Sequence, residues 1–164
     1  MSDSLQITRF TTEYSPEQDR IRMVIETAEG EKRVIWLTYR LLNRLIEAMV
    51  KALEQETSGV PESSNLQGFS QERARQKQVQ EPPVLAEQNT PEWLVNRVDL
   101  TVSPEKLDIV LFKDEARASL PMPRMNARQW LGIVRQLFTV AQWHSEHWPT
   151  WIAQPNAAPK QVVH

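Results

Sequence analysis

The residues with the clearest potential for chemistry are two histidines near the end of the chain, in the run His144-Ser145-Glu146-His147. Two imidazoles at this spacing on a helix can reach one metal ion, because positions three apart are neighbours on the helix surface. Zinc usually needs a third protein ligand, yet the chain has no cysteine and its third histidine is the distant His164. We therefore interpret the histidines as surface residues near a helix end, and we predict no metal site and no cofactor.

Paired carboxylates are the next candidates for chemistry. Asp114 with Glu115, and Glu17 with Asp19, fall where the pattern predicts turns, and solvated acids are expected at such positions. The sequence has no glycine-rich phosphate loop, no G-x-S-x-G motif and no H-E-x-x-H motif, and its four glycines leave little material for a phosphate cradle. A cysteine nucleophile is also absent. We predict that the protein is not an enzyme and has no catalytic residues.

Arginines on the predicted strands and helix form the candidate nucleic-acid surface: Arg20, Arg22, Arg40 and Arg44. Acidic residues are interleaved with them, which is typical of a mixed, solvated surface. The formal net charge is -2, whereas affinity for phosphates comes largely from a basic surface. Nucleic-acid binding is therefore the alternative function and not the first choice.

The tryptophans are concentrated near the end of the chain, where Trp143, Trp148 and Trp151 fall within nine residues. Pro149 prevents a regular helix from running through this segment, so the last two rings cannot extend the apolar stripe of a preceding helix. The rings either pack back on the body as a structural lid or project as a patch for a partner. Both interpretations stay open, and these three tryptophans are the candidate partner-binding residues.

The stretch from Arg33 to Leu53 predicts a short strand that turns directly into an amphipathic helix. β-Branched and aromatic side chains from Val34 to Leu37 fit a pleated strand. The hydroxyl of Thr38 can then accept a hydrogen bond from the first helical turn, as an N-cap does. The apolar residues that follow share one helix face, which must be covered: Leu41, Leu42, Leu45, Met49, Ala52 and Leu53.

Two further strands are predicted before this unit, Leu5 to Tyr14 and Arg20 to Thr27, because apolar and polar residues alternate in both. Ser15-Pro16 favours a turn between them, and Gly30 can supply the positive φ of a second turn. Residues 5–54 are thus predicted as a strand-strand-strand-helix unit.

Residues 55–91 have the composition of a polar linker, rich in Gln, Glu, Ser and Pro. Within it, Ser70 to Gln78 favours a short, solvated helix. We expect Leu66 and Phe69, just before that stretch, to pin it to the body.

The pattern of the first unit returns in residues 93–144. At an offset of 88 residues, Val95-Asn96-Arg97-Val98 resembles Ile7-Thr8-Arg9-Phe10, and Ser103-Pro104-Glu105 resembles Ser15-Pro16-Glu17. Strands are predicted around Ile109 and Ala118, and Asn126 is predicted to cap a helix with an apolar stripe. The chain would then end in a tryptophan-containing segment and tail, residues 145–164.

Each unit of about fifty residues is near the lower limit for folding alone, since small chains bury too little apolar surface. We therefore predict one α+β protein in which Leu45, Met49, Val134 and Phe138 line a shared core. The expected architecture is a duplicated strand-strand-strand-helix unit with two antiparallel three-stranded sheets, joined edge to edge or stacked, and two covering helices. A homodimer that completes the core is the alternative.

The segment RIRMVIETAEGEKRVIWLTYRLLNRL, residues 20–45, resembles a family of uncharacterised bacterial proteins with a similar strand, turn and W-L-T-x-R-L-L helix start. The likeness extends thinly over the second half. The resemblance implies a bacterial origin and no particular activity.

The sequence has no run of 18 apolar residues and no basic, then apolar N-terminus, so we expect a cytoplasmic protein without a membrane span or secretory signal. The predicted function is that of a non-enzymatic small interaction or accessory subunit of a bacterial protein assembly, bound to a protein partner or to a second copy of itself. The alternative is a nucleic-acid-associated factor.

Overall fold

The structure, a computed structural model, describes residues 4–153 and has an α+β fold, as predicted. A 3-10 turn, Gln55–Thr57, follows the first helix. In chain order the elements are β1 Ser4–Ser15, β2 Arg20–Thr27, β3 Lys32–Leu37, α1 Tyr39–Glu54, α2 Ser63–Gln76, β4 Glu92–Leu94, β5 Arg97–Val102, β6 Lys106–Lys113, β7 Ala116–Pro123, α3 Arg124–Ala141 and α4 Thr150–Ala153. None of the helices within residues 4–153 is both long enough and apolar enough to cross a membrane.

All seven strands form one sheet in the order β4-β3-β2-β1-β7-β6-β5. The hairpin neighbours pair antiparallel, whereas β1 pairs parallel with β7 and β3 pairs parallel with β4. The sheet is therefore mixed, and the expectation of antiparallel sheets is corrected. Alternation along a strand reports which face is buried, but it does not report which distant strand lies alongside.

The two parallel pairings join the halves of the chain. At the start of β1, Leu5 lies opposite Ala118 of β7. In β4, Trp93 lies opposite Ile35 of β3. The first strand of each half, β1 or β4, therefore pairs with the third strand of the other half, β7 or β3.

The sheet is strongly curved, as a half-barrel. Its two outermost strands are β4 and β5, yet only residues 95 and 96 separate them along the chain. Three Cα steps span at most about 11 Å, so one end of β4 must lie within about 11 Å of the start of β5, which a flat seven-stranded sheet would not allow. Helices α1 and α3 contact the inner face of the curved sheet, where α1 packs on β5 and α3 packs on β1, β6 and β7.

One apolar core extends through both halves. It includes Leu45 and Met49 of α1 together with Val134 and Phe138 of α3, which confirms the predicted shared core. The N-cap of α1 is also confirmed, because the hydroxyl of Thr38 accepts a hydrogen bond from the backbone N–H of Leu41 at 3.3 Å.

The predicted cap of the second long helix is wrong. Helix α3 begins at Arg124, directly after Pro123, and Asn126 lies inside its first turn. Pro123 has an extended backbone at φ -52° and ψ 152°, so the chain enters the helix at the end of β7 without a side-chain cap.

The segment predicted as a linker carries more structure than its composition suggested. Helix α2 covers 14 residues and begins seven positions before the expected Ser70. After it, Val84 packs on Val24 and Val34 on the outer face of the sheet, and its backbone N–H donates to the hydroxyl of Thr11 at 2.7 Å. Residues 55–91 thus contribute one helix that packs on the other helices and one segment that packs on the outer face of the sheet.

The shared core predicts that Leu45→Ala costs about 2–5 kcal/mol of unfolding free energy, because a side chain only 4% exposed leaves a cavity. Chemical denaturation monitored by tryptophan fluorescence measures this loss. Val140→Ala is the control, since Val140 is 68% exposed on α3 and its loss should change stability by less than about 0.5 kcal/mol. Equal effects of the two changes would contradict a core at Leu45.

Candidate functional site

Trp151 lies in the core and is only 4% exposed. Its indole N–H donates to a carboxylate oxygen of Glu54 at 3.1 Å, and the guanidinium of Arg128 lies 5.3 Å from the ring centroid. The ring is therefore held between the end of α1 and the start of α3. While α4 is docked in this way, the ring of Trp151 is not accessible to a partner.

Trp143 and Trp148 pack at the other end of α3, in a group that we call the tryptophan corner. The ring of Trp143 contacts Tyr14, Tyr39 and Phe138 at centroid distances of 5.6, 5.1 and 5.2 Å. Trp148 meets Phe138 edge-on at 5.4 Å. The structure thus places all three candidate tryptophans against the body, and their role in partner binding stays a prediction.

The four arginines of the nucleic-acid alternative lie on two separate surfaces. Arg22 lies on the outer face of the sheet, where it pairs with Glu13 at 2.6 Å, and Arg20 lies on the same face of β2. Arg40 and Arg44 are exposed on α1, which packs on the inner side. The structure does not bring the four side chains into one patch.

The two histidines near the end of the chain do not form part of a larger ligand cluster within residues 4–153. His147 lies 3.9 Å from a carboxylate oxygen of Glu47, and His144 is exposed. Residues 4–153 contain no group of three or more His, Asp and Glu side chains placed to hold a metal ion.

Helix α2 is the most unusual surface element, because two of its polar side chains are buried while its two large apolar side chains are exposed. Gln67 and Gln71 are 1% and 6% exposed, whereas Leu66 and Phe69 are 40% and 64% exposed. The expectation that Leu66 and Phe69 pin the helix to the body is therefore wrong. We call Leu66 and Phe69 the α2 patch.

Hydrogen bonds explain why the glutamines face inward. The amide group of Gln67 donates to the backbone carbonyl of Leu53 at 2.7 Å, in the last turn of α1. Gln71 donates to the carbonyl of Arg128 at 2.9 Å, in α3. Buried polar groups with partners of this kind can hold one specific orientation of the helix.

A cleft of about 1020 Å³ lies beside the α2 patch, between the end of α1, the start of α3 and the β5–β6 hairpin. We call it the arginine cleft. Its charged residues are Lys51, Glu56, Arg73, Arg124 and Arg128. Four cationic side chains therefore share the cleft with one carboxylate, which makes it electropositive.

Arg128 is the buried member of this group, at 4% exposed. One terminal nitrogen, Nη2, donates to Glu56 at 2.9 Å and to the side-chain oxygen of Gln67 at 2.7 Å. Burial lowers the pKa of Arg128 below its usual range, and the negative charge of Glu56 opposes that shift. The guanidinium thus needs Glu56, or another anion, to compensate for the loss of water.

Arg124 connects three elements at the same place. Its guanidinium donates to Glu56 at 2.6 Å and to the backbone carbonyl of Ser103 at 2.7 Å. Glu56 thereby pairs with both arginines, while its own side chain stays 30% exposed. The carboxylate bridges α3 and the 3-10 turn from a position that solvent can reach.

Sequence reasoning missed both the α2 patch and the arginine cleft. The available signals were weak: glutamines four apart beside Gly68, and arginines four apart at the start of the second long helix. Neither spacing is specific, because surface helices carry such pairs routinely.

No protein-family model, curated protein or solved structure matches this chain. The resemblance of residues 20–45 to a bacterial family therefore stays an expectation, and the candidate site rests on geometry alone.

The packing of Trp151 predicts that Trp151→Ala lowers the unfolding free energy by about 3–5 kcal/mol, because a large buried ring is lost. Chemical denaturation measures the change. Phe69→Ala removes another aromatic ring at an exposed position and should leave stability nearly unchanged. An unaltered stability of Trp151→Ala would show that the ring does not pack as described.

Proposed function

We propose that this chain is a non-enzymatic interaction subunit that binds a partner protein through the α2 patch. The observation that carries the proposal is the reversed polarity in the middle of α2, where Gln67 and Gln71 are buried while Phe69 is 64% exposed. Buried polar and exposed large apolar residues are the informative departures from ordinary burial. A helix held inward by polar contacts keeps its apolar side chains available for another protein.

The charges next to the patch indicate the chemistry of the partner. Arg73 follows Phe69 by one helical turn, is exposed, and makes no ion pair within residues 4–153. Arg75, on the same helix, is already paired with Glu72. A partner that presents an apolar anchor beside an acidic residue would complement both Phe69 and Arg73.

We also infer that the scaffold behind this patch is a duplicated strand-strand-strand-helix unit. Matching pairs of strands support this inference, since Ile21 lies opposite Leu37 and Ile109 lies opposite Leu120. The parallel pairings of Leu5 with Ala118 and of Trp93 with Ile35 correspond in the same way. A bacterial, cytoplasmic setting is part of the proposal and rests on the sequence alone.

The nucleic-acid alternative draws less support. Its four arginines lie on two surfaces, and Arg22 is paired with Glu13. The arginines of the cleft belong to a different region and are largely engaged by Glu56 and by backbone carbonyls.

The proposal predicts that Phe69→Ser weakens capture of the partner by about 30-fold or more, the loss typical of an aromatic anchor at an interface. Affinity purification from the native host, with stoichiometry measured by quantitative mass spectrometry, identifies the partner. The affinity of that partner for each variant is then measured with purified proteins.

Val140→Ser is the matched control, because Val140 is equally exposed but lies on α3. Thermal unfolding should be unchanged in both variants. Equal partner affinity of the Phe69 and Val140 variants would contradict the proposal. Retention that nuclease treatment abolishes would favour the nucleic-acid alternative instead.

A further inference from the structure

The two outermost strands of the sheet differ in how well their free edges are protected. Strand β4 is only three residues long, and a short edge strand offers little to pair with. Strand β5 is six residues long and contains no proline or lysine. Its two charged side chains, Arg97 and Asp99, pair with each other at 2.7 Å. Within residues 4–153, β5 pairs on one side only, with β6, so its other edge can accept a further strand.

The register of β5 on β6 identifies the backbone groups that face this free edge. At the end of the hairpin, the N–H of Ser103 donates to the carbonyl of Lys106 at 3.0 Å. In an antiparallel pair, positions that bond to the neighbouring strand alternate with positions that do not. The odd-numbered residues of β5 therefore bond to β6. The N–H and C=O groups of Val98, Leu100 and Val102 point to the free edge.

The arginine cleft lies along the second half of this edge. Leu100 and Val102 line the cleft on the strand side, and Ala48 and Ala52 of α1 line it on the helix side. Leu100 lies opposite Ile109 of the core, so the even-numbered side chains of β5 point to the inner face, toward α1. Val102 is nevertheless 48% exposed. A free strand edge that faces a helix across an apolar groove is the arrangement that binds an extended peptide as an added strand.

The charges around the cleft favour an acidic occupant. The two arginines of α3 already share Glu56, and Lys51 pairs with Glu47 at 3.2 Å. Arg73 is exposed and makes no ion pair within residues 4–153, so it is the cation that a ligand can engage. A second copy of the chain would bring two electropositive clefts together, and repulsion between like charges opposes such a dimer.

We propose that the arginine cleft binds an extended segment of a partner protein, which adds as a strand to the free edge of β5 and places an acidic residue beside Arg73. The backbone of the segment bonds to Leu100 and Val102, and its alternate side chains enter the groove between β5 and α1. Glu56 keeps its pairs with both arginines of α3, so no internal ion pair has to break. The inference goes beyond the proposed function, because the strand edge is a surface separate from the α2 patch.

Isothermal titration calorimetry with a capped peptide, acetyl-TVTVEE-amide, tests the proposal. The valines of this probe share one face of a strand, and its carboxylates complement the electropositive cleft. The matched control is acetyl-TVTVKK-amide, which reverses the charge. We expect the acidic peptide to bind with a Kd below about 1 mM and the basic peptide at least about tenfold more weakly. No binding of the acidic peptide up to that concentration, or equal affinities of the two peptides, would overturn the proposal.

Amide hydrogen exchange then locates the added strand. The amides of Leu100 and Val102 face the free edge, whereas the amide of Thr101 faces β6. At saturation with the acidic peptide, we expect exchange to slow by at least about tenfold at Leu100 and Val102 and to change little at Thr101. Unchanged exchange at both Leu100 and Val102 would place the peptide elsewhere and refute strand addition.

Variants of Val102 test the same hydrogen bonds. Val102→Pro removes a free N–H and should weaken peptide binding by about fivefold or more, whereas Val102→Thr keeps the N–H and should change the affinity by less than about twofold. Proline is tolerated at an edge position whose N–H points away from the sheet, and thermal unfolding checks that both variants are folded. Equal affinities of the two folded variants would contradict strand addition. If Val102→Pro does not fold, the exchange result for the unmodified protein decides.

Phe69→Ser separates this inference from the proposed function. The change alters the α2 patch but leaves the edge of β5 intact, so the affinity for the acidic peptide should be unchanged. A loss of peptide binding in this variant would show that the peptide binds the α2 patch and not the strand edge.

Discussion

The structure depends on two parallel strand pairings that join the halves of the chain. The start of β1 pairs with β7, and β4 pairs with β3. Only three residue pairs form each junction, yet the junctions decide that seven strands make one curved sheet and not two separate ones. Because the sheet is continuous, α1 and α3 bury their apolar faces in one core that includes Leu45 and Phe138. Each half alone, at about fifty residues, is near the lower size limit for independent folding.

The same arrangement creates the candidate site. With the end of α1 beside the start of α3, the carbonyls of Leu53 and Arg128 face a common groove, and α2 docks there through Gln67 and Gln71. Because Gln67 and Gln71 face the body, Leu66 and Phe69 face solvent. The shared core thus leads directly to an exposed apolar patch beside an electropositive cleft, the two features behind the proposed binding functions.

Local patterns in the sequence predicted local structure well. The strand-to-helix stretch, the cap at Thr38 and the core positions of both long helices follow from apolar periodicity and N-cap chemistry. The parallel junctions could not be predicted, because alternation in β1 and β7 does not specify which edges meet. The site could not be predicted either. Large apolar residues are usually assigned to the buried face of a helix, so Phe69 was expected to face the body. In α2 the side chains of Gln67 and Gln71 face the body instead.

Native-state hydrogen exchange, followed residue by residue as denaturant is raised, tests most directly whether the two halves form one cooperative unit. If both halves share one core, the amides of buried residues in β2, such as Met23 and Ile25, and in β6, such as Ile109 and Leu111, should exchange with the same opening free energy. That free energy should equal the free energy of global unfolding. If the amides of one half exchange through a partial opening several kcal/mol below that of the other half, the halves fold independently and the shared core does not hold the protein together.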